Sequence, residues 1–463
     1  MPPPPPRLRA RSVAVDVTGD LLTRVPDEVD PREVVSWLRE GDGMVGWGRA
    51  AVVRTRGPER FTAAETWWDG VRHRAEVEDE VRLPGTGLVA FGSFAFSPGS
   101  ADDSVLTVPR TLIGRRDGLA WVTQVVVDDE PWPTGHPAEM LARTNPHLGR
   151  LDPLVELPGT VAAQDWPQVV ARAVRRIGSG VVDKVVLARD VAVRHRDGDV
   201  VRVAPVLERL QARYGATWTF AVDGLVGATP EMLVRLQGGR ARSRVLAGTI
   251  RRGTPAPVPA AAPVPTTALA PAPAPAPTPT PVPDPTTTDH PTDPRLRLVS
   301  SVKDLEEHAY AVRSVADALA PHCTDLQVPE APYVLELPDV YHLASDLTGR
   351  MVSGATSLRL ACALHPSAAV CGTPTPAAAT LIEELEGMDR GRYAGPVGWV
   401  DGSGDGDWGI ALRCGELAPD RRSLRIFAGG GIVAASDPQA ELAETEVKLT
   451  AMRHALGLLP EPS

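Results

Sequence analysis

The chain has 463 residues, 43% of them hydrophobic, which is enough for a large core, and carries a formal net charge of −10. This acidic balance, with no Lys/Arg run, excludes a nucleic-acid partner. No stretch of 18 apolar residues offers a transmembrane helix. The opening Met1 and Pro2 to Pro6 lack the apolar stretch of a signal peptide. The four cysteines, Cys323, Cys362, Cys371 and Cys414, are scattered without a CxxC pair. They read as buried thiols of a cytoplasmic protein, not as a disulfide framework or a zinc site.

Up to about residue 150, short apolar runs alternate with Gly and Pro breaks. Residues 88–96 and 119–127 read as strands from their β-branched and aromatic content. Residues 164–177 have the spacing of an amphipathic helix closed by Gly178-Ser179-Gly180. A strand over 181–194, a turn at 196–199 and a helix over 201–214 follow. Strands at 218–222 and 231–236 flank a connection, Gly224 to Pro230. Residues 254–294 alternate Pro with Ala, Thr and Val, a composition that cannot bury a core and suits an extended insertion. Beyond it, a helix is predicted over 302–319, strands over 358–363, 395–400, 408–414 and 424–428, and a final helix over 439–456. Strands and helices without regular βαβ alternation indicate α+β layering.

Lys and Arg together number 48, yet only Lys184, Lys303 and Lys448 are lysine. Guanidinium replaces ammonium as a surface charge but not as a proton-shuttling amine, so a surviving lysine is a candidate for chemistry. On a strand, Lys184 shares a face with Val186 and Ala188; an amine on an apolar face is partly desolvated, as a working base requires, and a lysine at a strand end equally snorkels to water. Glu231 follows Pro230 in a turn that fixes its position; in a dry pocket it could remain protonated and act as an acid, and taken alone it reads as a solvated turn glutamate. Ser436-Asp437-Pro438 is a helix start, after which Glu441, Glu444 and Lys448 fall on one helical face. A second helix carries Asp304 and Glu307 at the same i,i+3 spacing. Carboxylate pairs on two helices make a possible all-oxygen Mg²⁺ site, and equally describe two solvated helix faces. Gly429, Gly430 and Gly431, read as following a strand, admit close backbone approach to an anion or form a plain turn. Arg413 can fork a carboxylate. Tyr393 and His342 are weaker candidates.

Together and in this order, these segments resemble the chorismate-binding family, which includes isochorismate synthases, salicylate synthases and the large subunits of anthranilate and aminodeoxychorismate synthases. The resemblance rests on DKVVLAR (183–189), GATPEML (227–233), LAGTIRRG (246–253), SVKDLEEH (301–308), HLASDLTG (342–349), LHPSAAVCGTP (364–374), DRGRYAGPVGW (389–399), IALR (410–413) and AGGGIVAASDPQAELAETEVK (428–448). FGSFAF (91–96) and VPR (108–110) match more loosely. The resemblance implies one large α+β domain of layered antiparallel sheets flanked by helices. Residues 1–150 would form its looser N-terminal half, and 151–253 with 295–463 its catalytic core.

By the same resemblance, Lys184 matches the base that activates water for attack at C2 of chorismate, and Glu231 the acid that protonates the departing C4 hydroxyl. Glu307 and Glu444 match Mg²⁺ ligands, with Glu441 and Asp304 beside them. Tyr393, Arg413 and Gly429 to Gly431 match the grip on the enolpyruvyl carboxylate, and Gly248, Thr249, His342, Ala344 and Lys448 match further pocket positions. Aminating members usually carry Gln where Lys184 stands, and aminodeoxychorismate synthases tend to have PIKGT where this chain has Leu246-Ala247-Gly248-Thr249. The resemblance therefore implies a water-using isochorismate synthase, monomeric and without a glutamine amidotransferase partner. Salicylate synthase and a non-catalytic member of the fold are the alternatives. Menaquinone and siderophore pathways both remain open. Two departures stand out: Ile250, and the Pro-rich insertion where the family has a shorter acidic segment leading into the Glu307 helix.

Overall fold

The computed structural model describes residues 5–135, 141, 144–146, 152–251, 293–336, 340–352 and 355–459. Of the 254–294 insertion, all but the last two residues lie outside them. The apolar alternation of the described strands resolves into a 13-stranded and a 10-stranded sheet. Every pairing is antiparallel except that of Leu8–Val15 with Glu76–Asp79.

In each sheet the N-terminal strands form one contiguous block that meets the later strands at a single seam. Val35–Arg39 pairs with Trp218–Val222 in the first, and Val89–Ser93 pairs with Pro396–Asp401 in the second. One apolar cluster joins Trp37, Trp121, Leu187 and Phe427 of the first sheet to Phe91, Trp399 and Trp408 of the second. The helices Trp166–Gly178, Val203–Tyr214 and Pro438–Ala455 pack with the first sheet, and Arg60–Arg74, Val302–Leu319 and Ser357–Leu364 with the second. The observed fold is thus the layered α+β arrangement expected. Cys323, Cys371 and Cys414 are buried free thiols, whereas Cys362 is only half-buried. Among the described residues no helix is long and apolar enough to cross a membrane.

Several predicted elements are found with their bounds moved by no more than three residues: the strands Leu119–Val127, Lys184–His195 and Trp218–Val222 and the helices Val302–Leu319 and Pro438–Ala455. Four readings are corrected. The strand expected over 408–414 is two strands, Gly406–Ile410 and Cys414–Leu417, with 411–413 between them. Residues 358–363 are not a strand but belong to the helix Ser357–Leu364, started by Thr356, whose hydroxyl accepts from Arg359 N–H. The 224–230 connection contains a strand, Leu225–Thr229, hairpinned to Trp218–Val222. Its two-residue turn, Asp223-Gly224, has positive φ at both positions, the Asp-Gly signature of a tight hairpin. Finally, Gly429 to Gly431 do not follow a strand. The strand Ser423–Ile432 runs through them, pairing Gly429, Gly430 and Gly431 with Ala188, Leu187 and Val186.

Candidate active site

The strand pair Lys184–His195 and Ser423–Ile432 forms one wall of a cavity of about 190 Å³. Lys184 and Val186 face it, while Val185 and Leu187 are buried in the core. The glycines opposite lie close under the site's side chains. A Cβ on Gly431 would lie 2.9 Å from Lys184 Cε and 3.2 Å from Glu307 Oε1, and one on Gly430 would lie 3.0 Å from Glu441 Oε2.

The helix Pro438–Ala455 is capped by Asp437, which accepts from Gln439 and Ala440 N–H, with Pro438 in the first turn. The cap sets the phase that brings Glu441, Glu444 and Lys448 to the cavity. Arg189 fastens this helix to the Lys184 strand, donating to Thr445 Oγ1 at 2.9 Å and pairing with Glu446. The helix Val302–Leu319, capped by Ser301, brings Asp304 and Glu307. Its His308 is buried, with Nε2 2.8 Å from Ser345 Oγ and Nδ1 3.2 Å from the Ala247 carbonyl. Gly248 interrupts the adjoining strand pairing with φ +79°, and a Cβ there would meet Asp304 Cβ at 3.1 Å. This bulge therefore lets the acidic helix approach.

Lys184 pairs with Glu307, Lys448 pairs with Glu444 at 2.6 Å and donates to the Gly429 carbonyl at 2.8 Å, and Ser436 Oγ donates to Glu441 Oε1 at 2.7 Å. Glu231 is different: burial pushes its carboxyl up to about 8, against the opposing fields of Lys184, Lys448 and Arg413. It is therefore a protonated acid at neutral pH. Burial lowers His342 to about 3, so its imidazole is neutral; the hydrogen bond its ring N–H donates to the Gly248 backbone only partly opposes this. Tyr393 stacks on Phe427 with centroids 4.9 Å apart, and burial keeps its phenol protonated. Arg413 follows the strand Gly406–Ile410 in a left-handed conformation, φ +48°.

Of the sequence-predicted positions, Lys184, Glu231, Gly248, Asp304, Glu307, His342, Tyr393, Arg413, Gly429, Gly430, Gly431, Glu441, Glu444 and Lys448 all line this cavity. Ala344 is buried opposite Leu246, outside the lining, and Thr249 is placed only by its register opposite His342. Val186, read from strand alternation as sharing the Lys184 face, is indeed in the wall. Missed were the other apolar walls, Leu246, Ala369, Val370, Leu412 and Phe427; Ala369 and Val370 lie in a loop with no such period.

Carboxylates are the hard oxygen donors that Mg²⁺ takes, and four of them face the same cavity. They fit such an ion in kind. They are not drawn around a common point, since no three metal-binding side chains cluster among the described residues.

Known proteins resemble the chain in sequence and in fold. Isochorismate synthase DhbC of Bacillus subtilis is 35% identical over 310 residues, 64% of this chain and 68% of that protein. The salicylate biosynthesis isochorismate synthase of Pseudomonas aeruginosa is 32% identical over 448 residues, 91% of this chain and 84% of that one. The structure of MenF, the menaquinone-specific isochorismate synthase of Escherichia coli, shares the fold with a TM-score of 0.69 at 21% identity, covering 98% of this chain and 96% of that one. The family model described as chorismate binding enzyme matches residues 29–454, and the chain belongs to that family.

Proposed function

We propose that the protein is an isochorismate synthase that adds water at C2 of chorismate with loss of the C4 hydroxyl. The observation that carries this reading is the juxtaposition of Lys184 with a buried, protonated Glu231 in one cavity. Water is a poor nucleophile and hydroxide a poor leaving group, so the exchange needs a base on one side and an acid on the other. Lys184 takes a proton from water as its oxygen bonds to C2. The ring double bond shifts, and Glu231 gives its proton to the oxygen leaving C4. Arg413 and Tyr393 are suited to hold the enolpyruvyl carboxylate, with the backbone of Gly429 to Gly431 admitting it closely. We assign Mg²⁺ to Glu307 and Glu444, with Glu441 and Asp304 beside them; when bound, it would neutralise the ring carboxylate that these acids otherwise repel.

Relatives named isochorismate synthase, two of them at 32 to 35% identity, support the choice of reaction. Because water is the nucleophile, the protein acts without an ammonia-supplying partner. The test is product analysis of purified protein with chorismate and Mg²⁺. Isochorismate without added ammonia is expected. Fluorescent salicylate would move the assignment to a synthase that goes on to eliminate pyruvate. Turnover only with ammonia, giving an aminated product, would overturn it.

A further inference from the structure

The cavity holds two of the chain's three lysines, and each grips one of the two carboxylates assigned above to the metal. Lys184 is on Glu307, and Lys448 is on Glu444 at 2.6 Å. Both the Lys184 chain and the Glu307 carboxylate lie against Gly431, so ammonium and carboxylate meet over the same piece of backbone. We infer that these ammonium groups are resident counter-ions, and that a divalent cation enters by exchange, displacing Lys184 from Glu307 and Lys448 from Glu444. This rests on the metal assignment proposed above.

Three observations converge. The two lysines are not elsewhere on the helices or strands but on the very carboxylates in question. The amines stand on the oxygens a cation would need. One dication would take the place of two ammonium contacts on these acids. A dication and an ammonium on the same oxygen repel one another twice as strongly as two unit charges would, so joint occupancy is disfavoured. Lys448 has a second acceptor, the Gly429 carbonyl at 2.8 Å, which keeps its amine at the cavity wall after release. Released from Glu307, Lys184 turns toward the space shared with Glu231, where the proposed reaction needs it. The cation would thus take over the acids and release Lys184 from Glu307, and a cavity without it keeps Lys184 engaged.

The scarcity of lysine makes this measurable. Reductive methylation with isotope-labelled formaldehyde keeps the ammonium charge and marks only three side chains and the amino terminus. Their methyl signals are assigned with Lys→Arg variants. On titrating the wild-type protein with Mg²⁺ alone, the Lys184 and Lys448 signals are expected to move together, saturating where calorimetry reports binding. In Glu307→Gln the Lys184 signal starts displaced and does not respond. Lys448→Met should bind Mg²⁺ at least about 5-fold more tightly, the lower end of ordinary coupling. Calorimetric binding with both signals unmoved would overturn the exchange while leaving the metal assignment standing. No Mg²⁺ binding at all would overturn both.

Discussion

At the scale of single residues, the account turns on Glu231. Its folded-state value of about 8 lies above the ordinary carboxyl value of 4.5 because burial disfavours the charged form. Below the ordinary value both folded and unfolded chains hold the proton, and the group makes no difference. Between the two values the folded chain keeps a proton that the unfolded chain gives up, so stability falls as pH rises and levels off above about 8. Glu231→Gln removes this penalty. The variant is expected to be more stable than wild type at about pH 9, by at most on the order of 5 kcal/mol, and nearly equal to it at about pH 4. Denaturant melts of both proteins across that range check this, and parallel stability curves would contradict it. The same protonation makes wild-type turnover fall as pH rises through about 8, where the acid is lost.

At the scale of elements, an ion pair away from the cavity holds the Lys184 strand in place. Between its short pairing with Gly372–Thr373 and its longer pairing with Leu154–Pro158, that strand has no neighbouring strand on one side. Glu386 Oε1 accepts from Ala188 N–H at 2.6 Å, and Arg390 donates to the Val186 carbonyl at 2.7 Å and the Val370 carbonyl at 3.0 Å. Glu386 and Arg390 are buried, and Arg390 stacks over Phe96, 4.3 Å from its centroid. Removing one member of such a pair strands a buried charge, so Glu386→Ala should cost roughly 3–5 kcal/mol in a denaturant melt. Arg390→Lys keeps the charge but loses the fork. It should stay folded with a lowered kcat because Lys184 and Val370 shift, and with a raised KM because Tyr393 N–H bonds to the Arg390 carbonyl and Gly431 pairs with Val186. An unchanged kcat would show that the pair only stabilises.

The same elements show why parts of the molecule were legible in sequence and others were not. The helix carrying Glu441 and Glu444 is announced by Asp437-Pro438, a local cap that needs no tertiary help. The helix Ser357–Leu364 was misread because eight residues with frequent Leu and Ala satisfy either period, and its Thr356 cap is weakly distinctive. The strand through Gly429 to Gly431 was cut short because glycine disfavours strands intrinsically. What keeps these glycines extended is their ladder with Ala188, Leu187 and Val186, a pairing between distant segments. Lys184 and Glu231 were readable because residue type carries chemistry, whereas an apolar wall such as Val370 looks like any core residue.

At the scale of the whole molecule, the N-terminal strands make up one end of each sheet, each joined to the rest of the chain at a single seam, and they share one core with it. The N-terminal third therefore has its sheets and its core in common with the rest of the chain. Thermal unfolding should give a single transition in which fluorescence and far-UV signals coincide. A resolved early transition would indicate that the N-terminal strands are held independently.

The central claim is that this fold brings Lys184 and Glu231 to chorismate so that solvent water is the nucleophile. The most direct measurement is turnover in water labelled with heavy oxygen, with mass analysis of the product. The account predicts one labelled oxygen per isochorismate, in the C2 hydroxyl, and a Lys184→Gln variant slowed roughly 10²–10⁴-fold, as loss of a general base typically gives. Product carrying only the substrate's own oxygen, or a Lys184→Gln variant retaining more than about a tenth of the rate, would contradict it.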